Sequence, residues 1–243
     1  MEFDKFQKKL HYFIESMSEK FNSSVIVITH SMGGTLFNKF QSLMTDEWLN
    51  KFIYKWVSLS APLGGAIDSI RTVLTGNDFG IPKLLFDAGK FVDFLRTFPS
   101  VYYLFPDFDV FNSSEVFLEL NNQSFTLRDW RKIVAMAFPQ YEDFSFNSLK
   151  IYQNEAPRVK MLCIISKDVP TPRFFTYNSL KFQPNIVYED GDGTVDFESL
   201  NVCDRYQKQA SNRIRTFLLK RINHLNILHS PLMLDILEKE LYL

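Results

Sequence analysis

One serine, one aspartate and one histidine stand in local settings that would let them act together on an acyl group. Ser31 lies in Thr29-His30-Ser31-Met32-Gly33-Gly34, Asp192 in Asp190-Gly191-Asp192-Gly193-Thr194-Val195, and His224 in Asn223-His224-Leu225-Asn226. A serine hydroxyl is a weak nucleophile until a base takes its proton, and a carboxylate behind that base holds the right tautomer and stabilises the imidazolium. In this assignment Ser31 attacks, His224 is base and then acid, and Asp192 orients it. The backbone N–H of Met32, the residue after the nucleophile, donates to the developing oxyanion. Competing readings exist for each position. Asp190 rivals Asp192, and either could be an Asx-turn residue; Asp192 is preferred because it lies between two glycines, later in the turn. His229 falls further into the segment after His224, where a helix cap is the simpler reading. His30 adjoins the serine and reads as a packing residue of the turn, while His11 lies on the first helix with no evident role. Ser31 itself could merely cap a helix.

The elements that must position these residues narrow the choice. Val25-Ile26-Val27-Ile28 is a continuous apolar run, as expected of a parallel strand buried on both faces. Apolar side chains at helical spacing follow from Thr35 to Met44. Ser31 therefore sits where a strand turns sharply into a helix, the nucleophile elbow of α/β-hydrolases, with Thr29 in place of the usual first glycine. Four strands are predicted, near residues 24–29, 55–60, 159–165 and 215–222. The three candidate residues then follow strand ends, where open α/β sheets build their sites. From Ala66 to about Ala156 the pattern loosens into an insertion expected to be irregular or helical, a cap over the site. This divides the chain into a nucleophile-bearing core part (1–65), a cap (66–156) and the rest of the core with the acid and base loops (157–243). Amphipathic helices are predicted at both ends: Met1–Lys20, with Phe3, Phe6, Leu10, Phe13, Ile14 and Met17 on one packed stripe, and Pro231–Leu243.

Composition excludes several classes. A chain of 243 residues with 46% hydrophobic and 23% charged residues is globular and long enough to bury a sizeable core. A net charge of −1 without a basic cluster gives no footprint for nucleic acid. The four histidines and two cysteines lack zinc-site spacing, so no metal is predicted, and the chemistry calls for no cofactor. No apolar run approaches the ~20 residues needed to span a bilayer, and the first helix has no signal-peptide core. The 25 phenylalanines suit a core, and a cluster such as Phe98–Pro106 could line a lipid site.

The sequence resembles the lecithin:cholesterol acyltransferase family, which includes lysosomal phospholipase/transacylases and phospholipid:diacylglycerol acyltransferases. The resemblance is carried by Thr29–Gly34, Trp56-Val57-Ser58-Leu59-Ser60-Ala61-Pro62-Leu63-Gly64-Gly65, Leu127-Arg128-Asp129-Trp130, Pro170-Thr171-Pro172-Arg173, Tyr188–Val195 and Asn223–Asn226. It implies an α/β-hydrolase fold and a Ser31–Asp192–His224 triad. The implied reaction takes an acyl chain from a glycerophospholipid onto the serine and passes it to water or a lipid alcohol, at a membrane or lipid-particle surface. It further implies a Cys163–Cys203 disulfide and a secreted, lysosomal or other endomembrane-lumen location, which the sequons at Asn22, Asn112 and Asn122 would suit. Only 30 residues precede Ser31, fewer than in the family. The expectation is a fold truncated at the N-terminus, without the early strands and the loop that supplies a second oxyanion N–H, and with an apolar edge on Val25–Ile28. Two functions follow: a serine-dependent lipid acyltransferase or phospholipase, or an inactive, lipid-binding remnant of one.

Overall fold

The computed structural model describes residues 2–77, 88–138 and 156–241. In chain order the elements are α1 (Glu2–Phe21), β1 (Val25–His30), α2 (Met32–Ser42), α3 (Asp46–Phe52), β2 (Ile53–Leu59), α4 (Asp68–Thr75), α5 (Ala88–Leu95) and α6 (Pro99–Tyr103). Then come β3 (Val116–Leu120), β4 (Gln123–Thr126), α7 (Trp130–Ala137), β5 (Met161–Lys167), β6 (Thr171–Tyr177) and β7 (Asn185–Glu189). The chain closes with α8 (Phe197–Leu200), α9 (Val202–Gln209), β8 (Ile214–Lys220) and α10 (Pro231–Leu241).

Four strands form a wholly parallel sheet in the order β1-β2-β5-β8, with helices against it. This is an α/β-hydrolase fold. All four predicted strands are present, within a few residues of their expected bounds. On one face Phe37, Phe40 and Phe52 pack with Trp56, Met161 and Tyr206; on the other Met233 and Leu241 of α10 meet Val57, Leu162 and Ile164. Two-sided burial holds for β2 and β5 but not for β1, whose residues are half-buried and whose Ile28 is 53% exposed. The reason is position. Among the described residues β1 pairs only with β2, so it is an edge strand with one flank uncovered. The α1 stripe also needs correcting: Ile14 is buried, but Phe6 and Phe13 are exposed. The helix docks through its polar side as well, with Trp48 Nε1 donating to Glu15 at 2.9 Å and His11 stacked on Trp48.

A second sheet, order β4-β3-β6-β7, falls where an irregular or helical insertion and a turn-rich Pro170–Arg173 were expected. Asn121 and Asn122 take φ of 51° and 63°, the left-handed pair that a two-residue hairpin between β3 and β4 requires. Thr171-Pro172-Arg173-Phe174-Phe175-Thr176-Tyr177 is rich in β-branched and aromatic residues, and its proline sits at a register irregularity, where a missing N–H is tolerated. Five of the 25 phenylalanines lie in the core behind this sheet: Phe105, Phe111, Phe117, Phe125 and Phe175 pack with Trp130 and Tyr177. Residues 78–87 and 139–155 of the expected cap lie outside the described residues. Leu127-Arg128-Asp129-Trp130 begins α7 through a capping box, in which Asp129 Oδ2 accepts from the Thr126 N–H and hydroxyl. Those two bonds hold the Asp129 carboxyl below its ordinary range.

Cys163 on β5 and Cys203 on α9 form a disulfide, with Cα atoms 6.3 Å apart and a sequence separation of 40. Closing a loop of that length is worth about 4 kcal/mol in the chain-entropy account. The side chains of Asn22, Asn112 and Asn122 are exposed.

Candidate active site

Ser31 follows β1 directly and precedes α2, with φ 55° and ψ −133°, a conformation that costs a non-glycine residue of order 1–3 kcal/mol. Backbone bonds on both sides hold it: its N–H donates to Leu59 O at 3.0 Å, and its carbonyl accepts from Gly34 N–H at 2.9 Å. Gly34 allows α2 to lie this close to β2, because a Cβ there would stand 2.4 Å from Ala61 Cβ. Thr29, in the usual glycine position, is absorbed by the neighbouring strand. Its hydroxyl accepts from Trp56 Nε1 at 2.8 Å and lies 3.3 Å from Val57 O. Met32 N–H opens α2 and has no intrahelical acceptor, so it is available at the elbow.

The acid loop between β7 and α8 is cross-braced. Asp192 N–H donates to Val195 O, Gly193 N–H donates to Thr171 Oγ1 at 2.9 Å, and Gly191 has no room for a Cβ beside Thr171 and Val195. Asp192 is fully buried; its Oδ1 accepts from the N–H groups of Thr194 and Val195 at 3.1 and 2.8 Å. Its Oδ2 lies 2.7 Å from His224 Nδ1. His224, on the loop after β8, is 6% exposed, and its N–H donates to the Asp192 carbonyl at 2.8 Å. His224 Nε2 lies 2.8 Å from Ser31 Oγ. A carboxylate can only accept, so Nδ1 carries the proton and Nε2 is left to accept from the serine.

The structure thus brings Ser31, His224 and Asp192 into one hydrogen-bonded line and leaves their rivals outside it. Asp190 is exposed and accepts from Asp168 N–H, on the loop after β5, at 2.6 Å. His229 is exposed at the end of a short 3-10 helix, and His11 pairs with Glu15 on α1. His30 is different: its Nε2 donates to His224 O at 2.8 Å, and the two rings lie 4.7 Å apart. Reading it as packing missed that bond, and no local pattern in the sequence signals a partner so far along the chain. The Arg173 cluster was missed for the same reason. Its guanidinium reaches Glu115 at 2.9 Å, Glu198 at 3.2 Å, Asp196 at 3.4 Å and Glu189 at 3.6 Å. Burial works against the Arg173 charge, but Glu115, Glu198 and Asp196 outweigh it and hold its pKa above the ordinary guanidinium value. Burial raises Asp196 to about 7, although Ile67 N–H donates to it at 3.0 Å and Arg173 is near.

Comparison with known proteins places the chain in a family. The family model described as lecithin:cholesterol acyltransferase matches residues 1–154 and 141–231. The chain belongs to the lecithin:cholesterol acyltransferase family. Among curated relatives, the lysosomal phospholipase A and acyltransferase of Mus musculus is 27% identical over 242 residues, 96% of this chain and 57% of that protein. The phosphatidylcholine-sterol acyltransferase of Mus musculus is 27% identical over 232 residues, 93% of this chain and 52% of that protein. The chain therefore spans a little over half the length of the curated relatives it matches. A chain of the Tle4–Tli4 complex shares the fold, with a TM-score of 0.56 at 14% identity over 90% of this chain and 60% of that one. In this member of the family, the Pro170–Arg173 segment braces the acid loop through Thr171 and carries the cation that reaches Glu115, just before β3, and Glu189 of β7.

Proposed function

We propose that this protein is a serine-dependent lipid acyltransferase or phospholipase. It would move an acyl chain from a glycerophospholipid to a lipid alcohol or to water. The observation that carries the reading is the continuous line Ser31 Oγ–His224 Nε2 at 2.8 Å and His224 Nδ1–Asp192 Oδ2 at 2.7 Å, beyond the ends of parallel strands. Ser31 Oγ attacks the ester carbonyl carbon as its proton passes to His224 Nε2. Asp192 stabilises the imidazolium, and the oxyanion is met by Met32 N–H at the start of α2. When the tetrahedral intermediate collapses, the lysophospholipid oxygen leaves with the proton from Nε2 and an acyl-serine remains. An acceptor hydroxyl then loses its proton to His224 Nε2 and attacks the acyl carbon; the new tetrahedral intermediate collapses, and Ser31 Oγ leaves with that proton. The described residues 66–77 and 88–138, together with the second sheet, would form the cap that chooses donor and acceptor. The relatives' names support the substrate class and a lysosomal or other lumenal location. The disulfide and the exposed sequons at Asn22, Asn112 and Asn122 would suit such a compartment.

The test is fluorophosphonate labelling of the folded protein beside Ser31→Ala, followed by acyl transfer from a phosphatidylcholine vesicle labelled in its acyl chain. Labelling that vanishes in Ser31→Ala, with labelled fatty acid or acyl-alcohol released, is the expected result. A folded protein that neither labels nor turns over the vesicle would leave a lipid-binding remnant instead.

A further inference from the structure

We propose that His30 is a positioning residue for the reaction: its Nε2–H, donated to the carbonyl of His224, fixes where the His224 imidazole stands relative to Ser31. The inference rests on the Ser31–His224–Asp192 reading given above. Its own support is separate from that line of contacts. His30 is the last residue of β1 and is bonded by its peptide to Ser31, so its backbone moves with the nucleophile. Its side chain reaches across to the loop after β8, at the opposite edge of the parallel sheet, and holds the main chain of the base at 2.8 Å. A carbonyl can only accept, so Nε2 must carry the hydrogen. His224 is then held at three points: its carbonyl by His30, its N–H by the Asp192 carbonyl and its Nδ1 by the Asp192 carboxylate. Only the first ties it to the nucleophile strand, through a contact that the proton transfer itself does not use. Displacing a reacting group by ~1 Å can cost about 100-fold in rate.

The tilted ring pair adds an electrostatic condition. The titratable groups acting on His30 are His224, from the loop after β8, and Asp192, from the acid loop. Burial is the main influence lowering the His30 pKa; the His224 carbonyl and Asp192 favour its charge, and His224 opposes it. A second cation 4.7 Å from the His224 ring would oppose the imidazolium that forms as Ser31 attacks. Neutral His30 therefore suits the reaction, and two imidazoles, not one, must be unprotonated for full rate.

The experiment measures the second-order rate of fluorophosphonate labelling against pH for wild type, Ser31→Ala, His30→Gln and His30→Phe. Glutamine keeps an amide donor near the Nε2 position without titrating; phenylalanine keeps the ring and removes the donor. The expected result is a plateau rate about 10- to 100-fold lower in His30→Phe. His30→Gln should recover most of it, and its acid limb should be first order in protons where that of wild type is steeper. With phosphatidylcholine vesicles the His30→Phe loss should appear in kcat rather than KM. His30→Phe labelling as fast as wild type overturns the proposal, as does His30→Gln falling as far as His30→Phe. Absence of wild-type labelling overturns the Ser31 reading and this inference with it. Loss confined to Ser31→Ala, with both His30 variants at full rate, overturns this inference alone.

Discussion

Asp192 and Asp196 lie four residues apart in one loop, both buried, and they serve two differently built regions. Around Asp192 the parallel sheet and its loops are held by backbone register, close packing at Gly34 and Gly191, and a disulfide; the carboxylate is satisfied by two N–H groups and one imidazole. Around Asp196 the acid loop is tied by one N–H to the chain entering α4 and by a shared cation to the second sheet. There Arg173 serves four carboxylates, Glu115, Glu189, Asp196 and Glu198. A reacting group needs its position fixed while its charge stays available, which neutral backbone donors supply. A junction between two sheets can be held by ions instead, and it then responds to pH. The same residue type does different work because its partners differ.

Changing each region separately should separate activity from stability. The largest effect is expected from Asp192→Asn, whose amide oxygen can still accept from Thr194 and Val195 but whose other edge no longer holds the Nδ1–H tautomer of His224. Acyl-transfer kcat should fall by about 10⁴-fold with little change in melting temperature. If the melting temperature fell just as far as that of Arg173→Met, the two regions would not be distinct. Arg173→Met removes the shared cation and leaves its carboxylates facing one another. A loss of roughly 3–5 kcal/mol in denaturant unfolding is expected, with the residual folded protein still labelling at Ser31. Gly34→Ala drives a Cβ to 2.4 Å from Ala61 Cβ and should cost about 1–3 kcal/mol by thermal or denaturant unfolding. Because α2 carries the Met32 N–H, this variant should lose labelling rate as well as stability.

Asp196→Asn gives the most diagnostic change. Burial raises Asp196 from 3.8 to about 7 in the folded protein, so folding favours its protonated form. A raised pKa contributes stability that is complete below the unfolded value and is lost as pH rises through the folded one. Wild type should therefore lose stability relative to Asp196→Asn between about pH 4 and pH 7, by at most about 1.4 kcal/mol per pH unit. Melting curves across that range check it. Parallel pH profiles for the two proteins would mean that Asp196 stays ionised against Arg173.

The elements of the parallel sheet were legible because each is written locally. Val25–Ile28, Met161–Ile165 and the run before Asn223 are apolar strand patterns, each followed by turn residues, and Ser31-Met32-Gly33-Gly34 announces a strand-to-helix turn by its small side chains. The choice of Asp192 over Asp190 and of His224 over His229 followed from the same kind of local placement; in the folded chain His224 stands between Ser31 and Asp192, while Asp190 accepts from Asp168. The second sheet was less legible, since its strands are short and two of them lie beyond β5 in the chain, although Asn121-Asn122 between Val116–Leu120 and Phe125 is a hairpin signal that could have been read.

What the sequence determined by itself was the type and order of the candidate residues: a serine on an elbow, an acidic glycine loop and a histidine after the last strand, each set by residues within a few positions of it. Only the tertiary structure decided what joins them. The His30 bond to the His224 carbonyl spans 194 residues, and the Arg173 contact with Glu115 spans 58. Which strand lies at the sheet edge, and so which apolar run stays half-covered, is likewise a matter of strand order. Local sequence encodes the backbone conformation through sterics and periodicity, but the partner of a side chain across the sheet is chosen by the packing of the whole chain.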